Sequence, residues 1–233
     1  MEDDTDAVLD LVSHFDGRKI HDPALWDDQV APQVVQFLET RTKLGGAYRL
    51  RVDAHTSVAV LSGYALDTKA GVNISLVQKT RSGVEIWDTE QPASFPSQEW
   101  EFDWIDGEVP DGDLAVAVSV THDVCRDVSA YLDGASMPIR GTLTATLPRA
   151  GNTVIRDGPH ALALAQALVV ELRKHRKRDQ TVHLFMAAPN GFSFVLGQHL
   201  RPVGPAVVYE FDFESGVPGA YEVGVTLPPA HIC

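Results

Sequence analysis

Three short polar segments stand out because each follows an apolar run and precedes a stretch with helical periodicity. They are His55-Thr56-Ser57, Thr121-His122-Asp123 and Pro189-Asn190-Gly191. In parallel α/β sheets, ligands bind beyond the carboxyl ends of the strands, where the free N–H groups of the following helix attract anions. Placed at one sheet edge, the three segments would form a crevice suited to a ligand with repeated phosphates. A simpler explanation stays open for each, because capping residues occur at helix starts in general.

The motifs of several common enzyme classes are absent from the sequence. It has no G-x-S-x-G elbow, no G-x-x-x-x-G-K-[ST] loop, no H-E-x-x-H and no G-x-G-x-x-G. His122 and Cys125 lie close together at a predicted helix start that could stabilise a thiolate, but we expect Cys125 to point into the core. None of the nine histidines has a carboxylate or thiol at a convincing ligand spacing. We therefore predict a binding module that is not an enzyme, with no metal site and no cofactor.

Two aromatic residues are candidates for contact with a ligand. Trp87 lies in the segment GVEIWDTE, which has little apolar periodicity. It could be a platform for a nucleobase, where stacking is worth about 1–3 kcal/mol, or a contact at the rim of the core. Tyr209 lies on a predicted central strand, so we expect its ring in the core and its hydroxyl reaching outward.

The elements that position these residues form a repeat. Residues 181–213 read as a β-α-β unit, and residues 48–78 show the same pattern 134 positions earlier, with Gly63 falling on Gly197. A predicted helix precedes each unit, so the order α-β-α-β occurs twice. Glycine inside a helix costs roughly 1 kcal/mol relative to alanine. We expect both glycines to allow close packing of helix on sheet.

Length and composition fit a duplicated α/β protein. The chain has 233 residues, of which 44% are hydrophobic and 22% charged, and the repeat favours two fused halves, residues 1–110 and 111–233. The net charge of −13 argues against direct DNA binding, which needs many Lys and Arg contacts to phosphate, but it does not exclude one small anionic ligand.

The sequence also points to a cytoplasmic protein. Cys125 and Cys233 form neither a disulfide framework nor a zinc spacing. The first four residues are acidic where a secretory signal needs a basic segment, and no apolar run reaches 18 residues, so no membrane association is predicted.

Several segments, in their order and spacing, resemble the SAVED domain of bacterial anti-phage (CBASS) effectors. They are LDLVSHFDGR (9–18), RVDAHTSVAVLSG (51–63), NISLVQKTRSGVEIW (73–87), LAVAVSVTHDV (114–124), and HLFMAAPNGFSFVLGQHL with VVYEFD (183–212).

The resemblance implies a pseudo-duplicated α/β fold of two fused CARF-like, Rossmann-like halves with parallel central sheets. It also implies binding of a cyclic di- or trinucleotide made by a partner nucleotidyltransferase. Binding would drive self-association and activate a fused or associated effector, commonly an HNH-type DNA endonuclease, which this sequence does not contain. The opening DLVSHFDGR looks most like the sensor of HNH-SAVED endonucleases.

Roles carried over from the resemblance place Trp87 and Gln198 near bases, and Lys69, Gln78 and Lys79 near phosphates or ribose. The predicted ligand site comprises His55, Thr56, Ser57, Lys69, Gln78, Lys79, Trp87, Thr121, His122, Asp123, Pro189, Asn190, Phe192, Gln198 and Tyr209.

Two other functions stay open. The pocket could cleave its own cyclic nucleotide, as some CARF-related proteins do, with His55 or His122 as the base that activates a ribose hydroxyl. Alternatively, the chain could be an interaction scaffold that binds no small ligand.

Overall fold

The computed structural model describes residues 6–80, 83–91, 100–151 and 154–230. The N-terminal segment has a 3₁₀ turn at Val12–His14 and a short hairpin of strands β1 (Phe15–Asp16) and β2 (Lys19–Ile20). A π-helical turn at Trp26–Val30 leads directly into helix α1 (Ala31–Thr42).

A three-stranded sheet follows. Strand β3 (Gly46–Leu50) leads to helix α2 (Thr56–Ala65), strand β4 (Val72–Thr80) and strand β5 (Gly83–Asp88). The order in the sheet is β3-β4-β5, with β3 parallel to β4 and β5 antiparallel to it. Such a crossover through a helix is what joins parallel neighbours in α/β folds.

The larger sheet has six strands in the order β11-β10-β9-β7-β8-β6, and its four central strands are parallel. Its strands are β6 (Glu101–Asp106), β7 (Asp113–Ser119), β8 (Ile139–Thr146), β9 (Val182–Ala187), β10 (Ala206–Phe211) and β11 (Tyr221–Leu227). Its helices are α3 (Cys125–Ala135), α4 (Gly158–His175) and α5 (Asn190–Gln198). All six residues of β9 are buried, as expected for a parallel strand covered on both faces.

The predicted α-β-α-β order occurs twice, and each time an antiparallel strand follows. The first unit is α1-β3-α2-β4-β5 and the second is α4-β9-α5-β10-β11. Strand β6 precedes the boundary predicted at residue 110 but pairs with β8 in the larger sheet, where Trp104 lies opposite Leu143. The larger sheet therefore draws a strand from each side of that boundary.

Gly63 and Gly197 lie where α2 crosses α5, so the prediction that they bring a helix onto a sheet is wrong. A Cβ on Gly63 would lie 1.9 Å from the carbonyl oxygen of Phe194, and a Cβ on Gly197 would lie 2.1 Å from that of Val60. These two contacts are equivalent under the 134-residue offset. The glycines thus let the two helices approach at the distance of their backbones, and this crossing joins the two units.

Candidate functional site

Two adjoining clefts lie where the strands end and α2 and α5 begin. The first cleft, of about 210 Å³, is bounded by the loop after β3, the end of β4 and the start of α5. The second cleft, of about 140 Å³, is bounded by the ends of β9 and β10 and by the starts of α2 and α3. Asn190 lines both. Each cleft is smaller than the roughly 300–1,000 Å³ of a typical small-molecule pocket, so a larger ligand would have to occupy both.

The three short polar segments singled out in the sequence meet at the second cleft. Thr56, Thr121 with His122, and Asn190 all line it. The carboxyl ends of parallel strands share one edge of a sheet, and the helix crossing brings the start of α2 to the same place. The juxtaposition predicted from the sequence is therefore observed, while a role of these residues in ligand binding stays a prediction.

Asn190 connects the two units at the boundary between the clefts. Its side-chain nitrogen Nδ2 donates hydrogen bonds to the carbonyl oxygens of Val52, at 3.0 Å, and Ala54, at 2.8 Å. Both acceptors lie in the loop between β3 and α2, whereas Asn190 is the first residue of α5. The amide therefore fixes the position of one helix start against the other.

The starts of α2 and α5 are capped reciprocally across the two units. The N–H of Ser57, the second residue of α2, donates to Oε1 of Glu210 on β10 at 2.5 Å. The N–H of Gly191, the second residue of α5, donates to Oε1 of Gln78 on β4 at 3.0 Å. Each acceptor lies on a strand of the opposite unit. One helix start is thus bound to an acidic side chain and the other to a neutral amide.

Glu210 is half-buried and lines the second cleft. Burial raises the pKa of its carboxyl above the ordinary value of 4.5, while the Ser57 N–H and the nearby His55 and Arg18 act in the opposite direction. Desolvation disfavours a charged carboxylate, and hydrogen bonds and positive neighbours favour it. The raised pKa shows that burial outweighs those compensating contacts.

The first cleft has cationic side chains at its edge. Lys79 forms an ion pair of 2.7 Å with Asp53, which also pairs with Arg51 at 2.9 Å. The Lys79 ammonium is largely exposed, so its pairing with Asp53 is a surface ion pair of small energy. A ligand phosphate can therefore compete with Asp53 for Lys79 at little cost.

A family model named SAVED, described as the SMODS-associated and fused to various effectors sensor domain, matches residues 29–227. The chain belongs to the SAVED family. This confirms the resemblance read from the sequence.

Several bacterial proteins are similar to this SAVED domain. CD-NTase-associated protein 4 of Enterobacter hormaechei subsp. hoffmannii is 33% identical over 217 residues, which cover 92% of the chain and 43% of that protein. An Acinetobacter baumannii Cap4 SAVED/CARF-domain containing receptor, solved with the cyclic trinucleotide 2′3′3′-cAAA, superposes with a TM-score of 0.70 at 17% identity and covers 93% of the chain. The corresponding receptor of Moraxella osloensis gives 0.65 at 17% identity, also over 93% of the chain.

The chain spans less than half the length of these proteins, namely 43% of the Enterobacter protein and 47% and 46% of the two receptors. At 17% identity, the TM-scores of 0.70 and 0.65 show a shared fold. They confirm the predicted α/β class with parallel sheet sections of the SAVED/CARF type.

Two predicted ligand-binding residues of the SAVED domain lie at the far end of the helices, where the structure does not bring them together with the other predicted site residues. Gln198 is the last residue of α5, about 12 Å along the helix axis from Asn190, and its Nε2 donates to the carbonyl oxygen of Leu66 at 2.9 Å. Lys69 lies in the exposed turn after α2, where its N–H donates to Asp67. Neither residue lines a cleft.

Trp87 and Phe192 are core residues, so an exposed stacking platform at Trp87 is corrected. Trp87 is 3% exposed, and its ring packs so closely on Gly191 that a Cβ there would lie 3.0 Å from the indole. Phe192 is fully buried and contacts Trp100 edge to face at 6.0 Å between ring centroids. Trp87 supports the start of α5 from beneath.

Tyr209 lines the second cleft, but its hydroxyl reaches inward and not outward as predicted. The hydroxyl lies 2.9 Å from Nδ1 of His183, and the ring stacks on Phe185 at 4.2 Å. The hydroxyl of Ser57 is buried against Gly224 and beside the Glu210 carboxyl, and Ser57 does not line the second cleft.

Of the two histidines considered as catalytic bases, His55 is engaged by its surroundings. Its ring stacks on Phe15 at 4.3 Å, and its Nε2 lies 2.9 Å from the carbonyl oxygen of Arg18. His122 is exposed at the rim of the second cleft, with Nδ1 3.2 Å from the hydroxyl of Thr121. His122 is therefore the better placed candidate for any ligand-cleaving activity.

The polar side chains at the start of α3 have a structural role. Asp123 accepts a hydrogen bond from the Cys125 N–H at 2.9 Å, which lowers the pKa of Asp123. Burial and the neighbouring Asp123 raise the pKa of the Cys125 thiol, opposite to what an activated nucleophile needs. Pro189 occupies the position before α5 and contributes no side-chain cap.

Arg18, Glu210 and Phe213 are among the residues of the second cleft that were not predicted. Arg18 and Phe213 lie at its mouth, where the Arg18 guanidinium sits 4.8 Å above the Phe213 ring. Glu210, which is half-buried, also lines the cleft. A sequence signal existed for Glu210, because an acidic residue interrupts the apolar strand AVVYEF. No comparable signal marked Phe213.

Within the described ranges, no three His, Cys, Asp or Glu side chains lie close enough to hold a metal ion. No helix in those same ranges is long and apolar enough to cross a membrane.

Proposed function

We propose that this SAVED domain is the sensor of a cyclic oligonucleotide second messenger in CBASS antiviral defence. The observation that carries the proposal is the pair of adjoining clefts at the strand ends, joined by Asn190 and built around two equivalent helix starts. Support comes from the Acinetobacter baumannii receptor, which shares the fold and was solved with cyclic trinucleotides.

A cyclic di- or trinucleotide would have to occupy both clefts, and its phosphates would need cationic partners there. Such a ring exceeds either cleft alone, so it would lie over Asn190 with nucleotides in both. Lys79 at the first cleft and Arg18 and His122 at the second can meet its phosphates. The positive charges of Lys79 and Arg18 allow an anion to bind a protein of net charge −13.

The signal would pass through self-association. We propose that a ligand in contact with both units binds more tightly to the self-associated state than to the single chain. Such a ligand shifts the population toward the self-associated state. We propose that the associated state activates an effector, fused or separate, of which an HNH-type DNA endonuclease is the expected class. The chain itself acts as the non-enzymatic sensor in the cytoplasm.

Calorimetry tests the binding step. The chain is titrated with cyclic di- and trinucleotides that cover 3′-5′ and 2′-5′ linkages, including 2′3′3′-cAAA and 3′3′3′-cAAA, and light scattering follows each mixture that gives heat. We expect one ring to bind tightly and to increase the particle mass. Absence of heat across the panel would contradict the proposal and favour the ligand-free scaffold.

The same mixtures also test the alternative function, in which the chain cleaves its cyclic nucleotide. After hours of incubation, chromatography should recover the ring intact. Cleavage that disappears in His122→Ala would establish an enzyme instead, since this histidine is exposed beside the second cleft.

A further inference from the structure

The starts of α2 and α5 are equivalent by position, but the side chains that accept their N–H groups differ in charge. Gln78 binds the Gly191 N–H as a neutral acceptor, and its Nε2 donates to the carbonyl oxygen of Lys79 at 2.9 Å. Glu210 binds the Ser57 N–H with an acidic group. A carboxylate accepts hydrogen bonds only, with two oxygens available.

Among the residues that the structure describes, Glu210 contacts Ser57 alone by hydrogen bonding: the Ser57 N–H donates to Oε1, and the buried Ser57 hydroxyl lies beside the same carboxyl. The side chain also lines the second cleft. The carboxylate therefore has accepting capacity left for a group that enters the cleft. Because leaving a buried acceptor unpaired costs free energy, a ligand group that donates an N–H to it would bind more tightly than a group that does not.

From this geometry we infer that the second cleft receives a nucleobase with an exocyclic amino group, and that Glu210 determines that specificity. The inference rests on the proposed function, since it assigns one part of the ring to one of the two clefts.

A phosphate does not fit beside Glu210. The N–H groups at a helix start would attract an anion, but at α2 the Glu210 carboxylate already holds the Ser57 N–H, and a second negative charge in the same half-buried space would be repelled. Arg18 and His122 lie at the mouth of the cleft and can hold the adjoining phosphate outside.

Phe213 supplies the apolar surface that a base needs. Its ring is 53% exposed at the mouth of the second cleft, with the Arg18 guanidinium 4.8 Å from its centroid and His122 6.4 Å from it edge-on. Bases stack on such rings whatever their identity. Stacking on Phe213 therefore holds a base at the cleft, and Glu210 then distinguishes the bases by their edges.

Two matched pairs of rings test the inference. The first pair is 3′3′3′-cAAA and the same ring with purine riboside in place of adenosine. The second is cyclic di-GMP and the same ring with inosine in place of guanosine. Within each pair only the amino group is removed. Titrations use wild type, Glu210→Gln and Glu222→Gln. Glu222 lies directly opposite Glu210 on strand β11 and forms an ion pair with Lys19 of β2, so its variant removes a neighbouring charge and keeps the Glu210 carboxyl.

Wild type should bind the amino-bearing ring of at least one pair roughly ten- to a hundredfold more tightly than its counterpart. Glu222→Gln should keep this preference. Glu210→Gln should lose or reverse it, because its Oε1 would bind the Ser57 N–H, as Gln78 does with Gly191, and leave Nε2–H donors facing the amino group.

Equal binding of both members of every pair that wild type binds would overturn the inference and leave the proposed function intact. A preference that persists in Glu210→Gln would also overturn it. If wild type binds no cyclic nucleotide, the proposed function fails and the inference fails with it. Melting temperatures without ligand establish that the variants fold, and the comparison of rings on wild type needs no variant.

Discussion

Gly63 and Gly197 face each other at one helix crossing, and each passes the backbone of the opposite helix without a side chain between them. The carbonyl oxygens that they approach, those of Phe194 and Val60, correspond to one another in the two units. One crossing therefore places both helix starts, and with them both clefts.

Alanine at either crossing glycine should destabilise the protein. A Cβ at Gly63 or Gly197 would meet backbone atoms at about 2 Å, so the helices must separate. We expect the free energy of unfolding, measured in urea, to fall by about 1–3 kcal/mol for each single variant. The two variants remove the same contact, so the double variant should lose less than the two losses combined.

Gly134→Ala is the matched control. Gly134 lies inside α3 with no atom of the described residues within 4 Å of the position of its Cβ. Alanine there should be neutral or stabilising by up to about 1 kcal/mol, as helix propensity predicts. Equal effects at Gly134 and Gly63 would contradict the crossing.

Glu210→Gln should stabilise the folded chain at neutral pH. The pKa of Glu210 is raised by burial, so the native state binds this proton more readily than the unfolded state. The contribution of Glu210 to stability is then fully present below pH 4.5, the ordinary pKa of the carboxyl. It is lost as the pH rises through the pKa of the folded state. Glutamine has no such titration.

Urea unfolding at a series of pH values measures this effect. The difference in unfolding free energy between Glu210→Gln and wild type should grow from acidic to neutral pH. Glu222→Gln serves as the control, because it removes the charge directly opposite Glu210 and leaves the titration of Glu210 itself in place. A variant that is less stable than wild type at neutral pH would contradict the assignment.

Trp87→Ala should reduce stability, and Phe213→Ala should reduce ligand binding. Trp87 is buried under the start of α5, so its truncation should lower the unfolding free energy by about 3–5 kcal/mol. Phe213 is half-exposed, so its truncation should leave the melting temperature unchanged and weaken binding of a cyclic nucleotide by about 1–3 kcal/mol. The opposite pattern would restore Trp87 as the stacking residue.

Lys79→Ala should weaken binding of a cyclic nucleotide several-fold, whereas Lys69→Ala should not. Lys79 lines the first cleft, and Lys69 lies in the turn after α2, a helix length away from the clefts. Both variants remove one exposed positive charge, so a purely long-range electrostatic effect would weaken binding equally in both. Calorimetry at two salt concentrations distinguishes these outcomes.

The local pattern of apolar and polar residues was sufficient to predict the three polar segments at helix starts and the duplicated order of helices and strands. Thr56, Thr121 and Asn190 could be placed at helix starts because apolar runs and helical periodicity are short-range signals. The partner of Gly63 could not be predicted, since a glycine marks a close approach without saying what approaches. That partner depends on how the two units pack.

Side-chain exposure was harder to predict than position along the chain. Trp87 lies on β5 beside the exposed Val84 and Ile86, so its segment shows no periodicity that would indicate burial. The positions of Lys69 and Gln198 could have been foreseen, since each follows a helix start by the length of the helix. The sequence marks Glu210 as an acidic residue in an apolar strand, but its partner Ser57, 153 residues away, could be identified only from the three-dimensional structure.

Covalent fusion of the two units explains how Glu210 and Gln78 can differ. In a homodimer of a single unit, a twofold axis would force the same acceptor onto both helix starts, and a ligand could enter in two equivalent orientations. In the fused chain each acceptor can be replaced without changing the other. The site thereby acquires a polarity, and an asymmetric ring would bind in one orientation only.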